Sequence, residues 1–260
     1  MFIIVIITRK TAFKTRLKTA VLIILTLFAI SVPAGGDTPP ILVSTSYTNL
    51  LSNNENDGML DLIVTEAFRR IGLEVHIVYT PTERSLFDVN AGLLDVEINR
   101  IEGMEKDFPN LVRVPEPNMV MRFVAFSKQD ISIDGWESIK DLDIAVVRGW
   151  RILEEHTQKF PGVLFVPTEI ELFNMLHRGR IDAALYSLLT GYAVLTDLGY
   201  RNIRHLEPPL EERKMYMYVH KSHADLAAPL AEALRSMKRD GTYDRIVRRT
   251  TEGTVDYNFE

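Results

Sequence analysis

At 260 residues, 46% hydrophobic and 25% charged, the chain has an ordinary globular composition and enough length for one large or two modest domains. It contains no cysteine, which excludes disulfides, a thiolate nucleophile, thiolate metal ligands and a lipid anchor on an N-terminal cysteine. The formal net charge of −5 offers little electrostatic attraction to nucleic acid or anionic lipid.

Residues 1–34 read as a signal peptide. Arg9, Lys10, Lys14, Arg16 and Lys18 form a basic region without an acid, and an apolar segment over residues 20–30 follows it. That segment is too short to span a bilayer and has the length of a secretory h-region. Val32-Pro33-Ala34 then supplies small residues for cleavage after Ala34. The additional apolar residues 2–7 are unusual for a signal and fit an upstream start codon. Without residues 1–34 the chain keeps 25 Lys+Arg against 35 Asp+Glu, a net charge of −10 (25 − 35). The expected location of this acidic chain is a bacterial periplasm, where it would be soluble and monomeric.

Residues 41–46 read as a first strand ending at Tyr47, followed by an Asn-rich loop that closes at Asp57-Gly58. Residues 60–71 form an amphipathic helix with Leu60, Ile63, Val64, Ala67, Phe68 and Ile71 on one face and Gly72 as its stop. A strand over 75–79, a helix over 81–91 and a strand beginning at Asp95 complete a β-α-β-α-β run, the signature of a parallel sheet. Pro109, Pro115 and Pro117 punctuate the next segment, ahead of a strand over 123–127.

The second half repeats this grammar. A short helix over 134–142 precedes strands over 144–147, 163–166 and 181–185, with helices around 152–156, 169–176 and 188–198. A strand over 215–219 returns to the first half; helices over 226–239 and 242–249 and a flexible tail over 251–260 end the chain. This order implies lobe 1 over 41–126 and 215–250 and lobe 2 over 127–214. The chain crosses between them twice, near Ser127 and Lys214, as a hinge requires.

An internal echo supports two lobes of similar plan. Gly179-Arg180-Ile181-Asp182-Ala183-Ala184-Leu185-Tyr186-Ser187 and Gly92-Leu93-Leu94-Asp95-Val96-Glu97-Ile98-Asn99-Arg100 both follow a helical pattern and share a Gly-x-x-Asp start. Ligands of open α/β sheets bind at the carboxyl ends of such strands. Here those ends carry Glu97, Asn99 and Arg100 in one lobe and Tyr186 and Ser187 in the other.

No Gly-x-Ser-x-Gly, Walker loop, Gly-x-Gly-x-x-Gly or His-Glu-x-x-His occurs. His220 and His223 fall in a Lys/Ser-rich turn that fits a solvated loop better than a metal site, and Met215-Tyr216-Met217-Tyr218 fits a core strand. The arginines are more informative, because a guanidinium presents a rigid donor fork that matches a carboxylate. Arg84 opens a helix, Arg100 ends the echo strand, and Arg148 and Arg151 flank Gly149-Trp150, where a helix start adds backbone N–H groups for an anion. Period-two alternation puts Glu97 and Arg100 on opposite faces of a regular strand, whereas a bulge or an early strand end brings both into one pocket.

Taken in order, several motifs give the chain a resemblance to the family of extracellular solute-binding proteins (family 3) that serve polar-amino-acid-type importers. They are Gly58-x-x-Asp61-Leu62, Ala67-Phe68-Arg69-Arg70-Ile71-Gly72-Leu73, Pro81-x-x-Arg84-Ser85-Leu86, the two Gly-x-x-Asp starts, and Lys238-x-Asp240-Gly241-Thr242-Tyr243. The resemblance covers residues 41 to about 249. It implies an α/β, two-lobed periplasmic-binding-protein-like fold (type II), its lobes joined by two crossing strands and closing on a ligand by a hinge. The sequence departs from amino-acid binders at three places. Ser187 stands where they carry an acid for the ammonium, Glu97-Ile98-Asn99-Arg100 replaces their Thr-x-x-Arg clamp, and the aromatic turn after the first strand is reduced to Tyr47.

The expected ligand-binding residues are Tyr47, Arg84, Glu97, Arg100, Trp150, Arg151 and Ser187, with no catalytic residue, metal or cofactor. Arg100 and Arg84 would clamp an anionic or amino-acid-like solute, Tyr47 and Trp150 would cover it, and Ser187 and Glu97 would set selectivity. The expected role is non-enzymatic capture of that small solute for an inner-membrane ABC permease. The alternatives are a dehydratase-like enzyme using Glu97 and a ligand sensor docked on a membrane receptor. Export with cleavage after Ala34 gives a chain beginning at Gly35; intact mass of periplasmic material checks this, and a full-length mass in the membrane fraction refutes it.

Overall fold

The computed structural model describes residues 39–252, apart from the side chains of Thr82 and Glu83. The expected signal peptide lies outside the described residues, as do residues 253–260 of the expected tail. In the first half the chain runs β1 (Ile41–Thr45), α1 (Met59–Arg70), β2 (Val75–Tyr79), α2 (Thr82–Asn90) and β3 (Val96–Ile101). Short β4 (Leu111–Arg113) and long β5 (Met119–Ser127) follow. The second half contains β6 (Ile144–Val147), α3 (Arg151–Thr157), β7 (Val163–Val166), α4 (Glu169–His177), β8 (Ala183–Ser187) and α5 (Leu188–Asp197). After the two-residue β9 (Arg204–His205) come β10 (Glu211–His220), α6 (Ala227–Arg239) and α7 (Thr242–Thr251).

All ten strands join one sheet, ordered β2-β1-β3-β10-β5-β8-β6-β7, with β4 added on β10 and β9 on β5. Each half keeps a parallel core: β1 lies between β2 and β3, and β6 lies between β7 and β8. The halves meet where β5 and β10 pair antiparallel, from Glu211 opposite Phe123 to Met215 opposite Met119. Past that ribbon, β10 turns to β3 while β5 turns to β8. Residues 123–126, expected in the first lobe, therefore sit in the second lobe's ladder, because the strand changes partner at Phe123 rather than near Ser127.

The apolar run of β8 reads as a strand covered on both faces, and its alternation shows how. Ala183 and Leu185 pack with Ile144 and Val146 in one core, while Ala184 and Tyr186 pack with Ala145 and Val147 in the other. On the first half, α1 buries Met59, Leu60, Ile63, Val64, Ala67 and Phe68. The C-terminal motif fastens the chain just before β5. Lys238 Nζ donates to Glu116 Oε1 at 2.5 Å and Pro117 O at 2.7 Å, and Tyr243 donates to Asn118 O at 2.8 Å.

Three expectations are corrected, and two short strands are added. The helix over 134–142 is only a 3₁₀ turn, Trp136–Ile139, because the Ser138 hydroxyl bonds its own backbone at Gly135 O and so competes with helical pairing. The strand expected from residue 181 begins at Ala183, since Asp182 is held in a turn against Asp143. Thr251 is no tail residue: it is buried and its hydroxyl bonds Val247 O at 2.8 Å. The short β4 and β9 were not expected, being too brief to show a period.

Gly191, inside α5, lets the helix lie on the sheet. A Cβ there would stand 2.5 Å from two ring atoms of Phe126 and 3.3 Å from Phe173. Phe126 is fully buried and edge-on to both Phe173 and Tyr192, so the ring cannot step aside. Helix propensity favours Ala over Gly by about 1 kcal/mol, but overpacking costs about 1–3 kcal/mol. Gly191→Ala should therefore lower stability by up to about 2 kcal/mol, read by urea unfolding; a stabilised variant would show the helix can shift outward freely.

Candidate functional site

The two echo segments use one device. Gly92 and Gly179 both take positive φ after a helix (73° and 66°), where glycine has no Cβ penalty. The following aspartates then bracket the neighbouring strand. Asp95 N–H donates to Leu42 O at 2.9 Å while its Oδ2 accepts from Leu42 N at 2.8 Å. Asp182 does the same to Asp143, at 2.7 Å and 3.0 Å. Each bracket sets the register of a parallel pair, and so fixes what the strand presents at its carboxyl end.

In β3 the register shifts. Arg100 lies opposite Tyr216 and Glu97 opposite Tyr218, so Ile98 and Asn99 together face the single Met217. The extra residue is a bulge, and it brings Glu97 and Arg100 to one side. Arg100 Nε lies 3.0 Å from Glu97 Oε1. The Ser85 hydroxyl donates to Glu97 Oε2 and accepts from Arg100 Nη2 at 3.2 Å. Glu97 and Ser85 are fully buried. Burial pushes the Glu97 carboxyl up from its ordinary value, against the opposing pull of the Arg100 charge and the Ser85 hydrogen bond.

Beside this trio, Asn99 Nδ2 donates to the Tyr47 hydroxyl at 3.0 Å, while Asn99 Oδ1 is buried without a hydrogen-bond partner among the described residues. Desolvation raises the Tyr47 phenol. The second lobe supplies an aromatic wall. Trp150 packs edge-on to Tyr186 (centroids 4.9 Å) and to Phe123 (5.7 Å), and Ser187 lies opposite Phe123 in the β5–β8 ladder. The Tyr186 phenol is raised mainly by burial and next by Glu169.

Of the expected residues, the structure groups Tyr47, Glu97 and Arg100 on one lobe and places Trp150 and Ser187 together on the other. It does not bring in Arg84 or Arg151. Arg84 is 74% exposed and pairs with Asp88 on its own helix at 3.2 Å; Arg151 is 86% exposed and pairs with Glu155 at 3.4 Å. The backbone N–H of Gly149 is occupied by Glu154 Oε1 at 2.8 Å, so the anion cradle expected there is filled by the chain itself. Ser85 joins Glu97 and Arg100 and was not expected there, while Asn99 and Tyr186, expected only at the strand ends, lie beside Tyr47 and Trp150. Ser85 could have been found from Arg84: one helical residue turns by about 100°, so a neighbour of an outward arginine points inward. Among the described residues no group of three or more His, Cys, Asp or Glu side chains is placed to hold a metal.

The class of fold is clear from this geometry: two α/β lobes, each with a parallel strand core, joined by two antiparallel crossing strands. It is the type II periplasmic-binding-protein-like fold. Among solved structures, a histidine kinase sensor domain described as similar to periplasmic binding proteins matches with a TM-score of 0.65 and 17% identity, covering 84% of this chain and 98% of that one. A mutant of ArgBP from T. maritima matches at 0.61 and 21%, covering 80% and 93%. A protein from Bacillus subtilis matches at 0.67 and 22%, covering 86% and 94%. In sequence, an uncharacterized protein of Shewanella oneidensis is 27% identical over 209 residues, 76% of this chain and 77% of that one. No protein-family model matches the chain. The fold expected from the motifs is the fold observed, and these neighbours agree with the solute-binding-protein resemblance that the motifs carry.

Removing Arg100 would leave Glu97 buried without its cation. Breaking a buried pair this way costs about 3–5 kcal/mol, and the same loss lifts the Glu97 pKa further. A carboxyl whose folded pKa is raised brings no penalty below its unfolded value of about 4.3; the penalty grows as pH rises from there to the folded value and is constant above it. Arg100→Ala should therefore lose less stability at about pH 4 than at about pH 7, and adding Glu97→Gln should recover much of the loss. Urea unfolding of the single and double variants checks this. Equal losses at both pH values would mean the two side chains do not act as a pair.

Proposed function

We propose that the chain is a non-enzymatic solute-binding protein of the family its motifs resemble. In this reading it captures a small polar solute bearing an anionic group by hinge closure in the periplasm and presents it to an inner-membrane ABC importer. What supports the reading is the grouping of Tyr47, Asn99 and Arg100 at strand ends of one lobe, and of Trp150, Tyr186 and Ser187 at strand ends of the other. Arg100 is the residue that would meet the anion, and the aromatic wall would cover the solute's apolar part. Ser187 in place of an acid argues against a site built for an α-ammonium group. The likeness to a histidine kinase sensor domain supports a second reading, in which the closed form is read by a membrane receptor instead of a permease.

A thermal-shift screen of the mature protein against small polar metabolites, followed by X-ray scattering, tests the reading. A stabilising solute should also shrink the radius of gyration as the lobes close. An unchanged radius with bound solute would count against hinge closure, and the absence of any stabilising solute would count against solute capture.

A further inference from the structure

Seen from the cleft, Glu97 stands behind Arg100: its side chain is 1% exposed against 14% for the arginine. A carboxylate arriving at Arg100 therefore meets a guanidinium already neutralised at 3.0 Å and shared with Ser85 at 3.2 Å. Two carboxylates on one buried guanidinium would leave one negative charge desolvated and uncompensated, a state that proteins avoid by protonating one of them. We propose that the cleft takes up its anionic solute together with one proton: the solute's carboxylate replaces Glu97 on Arg100, and Glu97 takes a proton from solvent. The proposal rests on reading this cleft as a solute site and names how that site is regulated.

The surroundings suit the exchange. Burial pushes the Glu97 carboxyl up from its ordinary value, the direction that the exchange needs. The Ser85 hydroxyl, which now donates to Glu97, can rotate and accept from the protonated carboxyl, since a hydroxyl serves both ways. Asn99 Oδ1, buried and unpartnered beside the trio, is an acceptor for a donor that the incoming solute brings. The charged or titratable groups facing Glu97 are Arg100 on β3, Tyr47 after β1, and Tyr218 and Tyr216 on β10, with Ser44 opposite it on β1 and Ser85 on α2. Burial raises the Tyr47 phenol and raises that of Tyr218 to about 12, so neither competes with Glu97 for the proton near neutrality.

Calorimetric titration of the mature protein with acetate, succinate and L-glutamate as carboxylate probes tests this, at about pH 5, 6.5 and 8 and in two buffers of unlike ionisation enthalpy. Expected at alkaline pH are the uptake of close to one proton per probe bound and a Kd that rises about tenfold per pH unit. Glu97→Gln should bind the same probe with no proton uptake and no pH slope. Wild-type binding with a pH-independent Kd and no proton uptake overturns the proposal, whether or not the variant folds. If neutral polar solutes bind and no carboxylate does, the exchange falls while solute capture stands. If no solute of any charge binds, both fall.

Discussion

The antiparallel ribbon of β5 and β10 is the constraint on which the arrangement depends. Glu211 to Met215 and Met119 to Phe123 hold each other with backbone hydrogen bonds, and beyond them each strand commits to a different half. Sheets twist between neighbouring strands, and a ribbon can twist and bend with less repacking than a sheet clamped between helices. Both site walls hang from its two ends. Arg100 lies opposite Tyr216 of β10, and Tyr186 lies opposite Val124 of β5. A change of twist in the ribbon would move the two walls relative to each other.

Within the first lobe, one extra residue decides the chemistry. A regular β3 would send Arg100 to the face opposite Glu97, putting a guanidinium into the apolar core that holds Val96 and Ile98. Burial of an unpaired charge there would cost several kcal/mol. The bulge instead brings Arg100 round to the side of Glu97 and Ser85. The cleft then offers a guanidinium whose charge is largely balanced, quite unlike an arginine standing alone.

Much of the architecture was legible because it depends on local signals that act within a few residues. Helix–strand alternation, the two Gly-x-x-Asp starts and the crossing near Lys214 all read from spacing and apolar pattern. The site was only partly legible. Glu97 and Arg100 were expected as site residues, but whether the two met turned on a bulge specified by pairing with β10, more than 100 residues away in sequence. Arg84 and Arg151 looked suitable by chain position and failed because acids one turn on, Asp88 and Glu155, satisfy them. The N–H of Gly149 went to Glu154 for the same reason. Competition of this kind depends on side-chain reach, which a linear reading weighs poorly.

The route of the chain also dictates the order in which the halves can be finished. β6, α3, β7, α4, β8 and α5 are contiguous, so the second half can assemble from an uninterrupted stretch. The first half cannot. Until β10 is made, β3 has β1 on one side and an open backbone edge on the other, with Tyr218 and the helices α6 and α7 still missing from its core. Nascent chains thus carry a long, unpaired strand edge until the end of synthesis, and such edges are templates for mispairing. The acidic balance of the chain gives copies in this unfinished state a reason to repel one another before the last strand arrives.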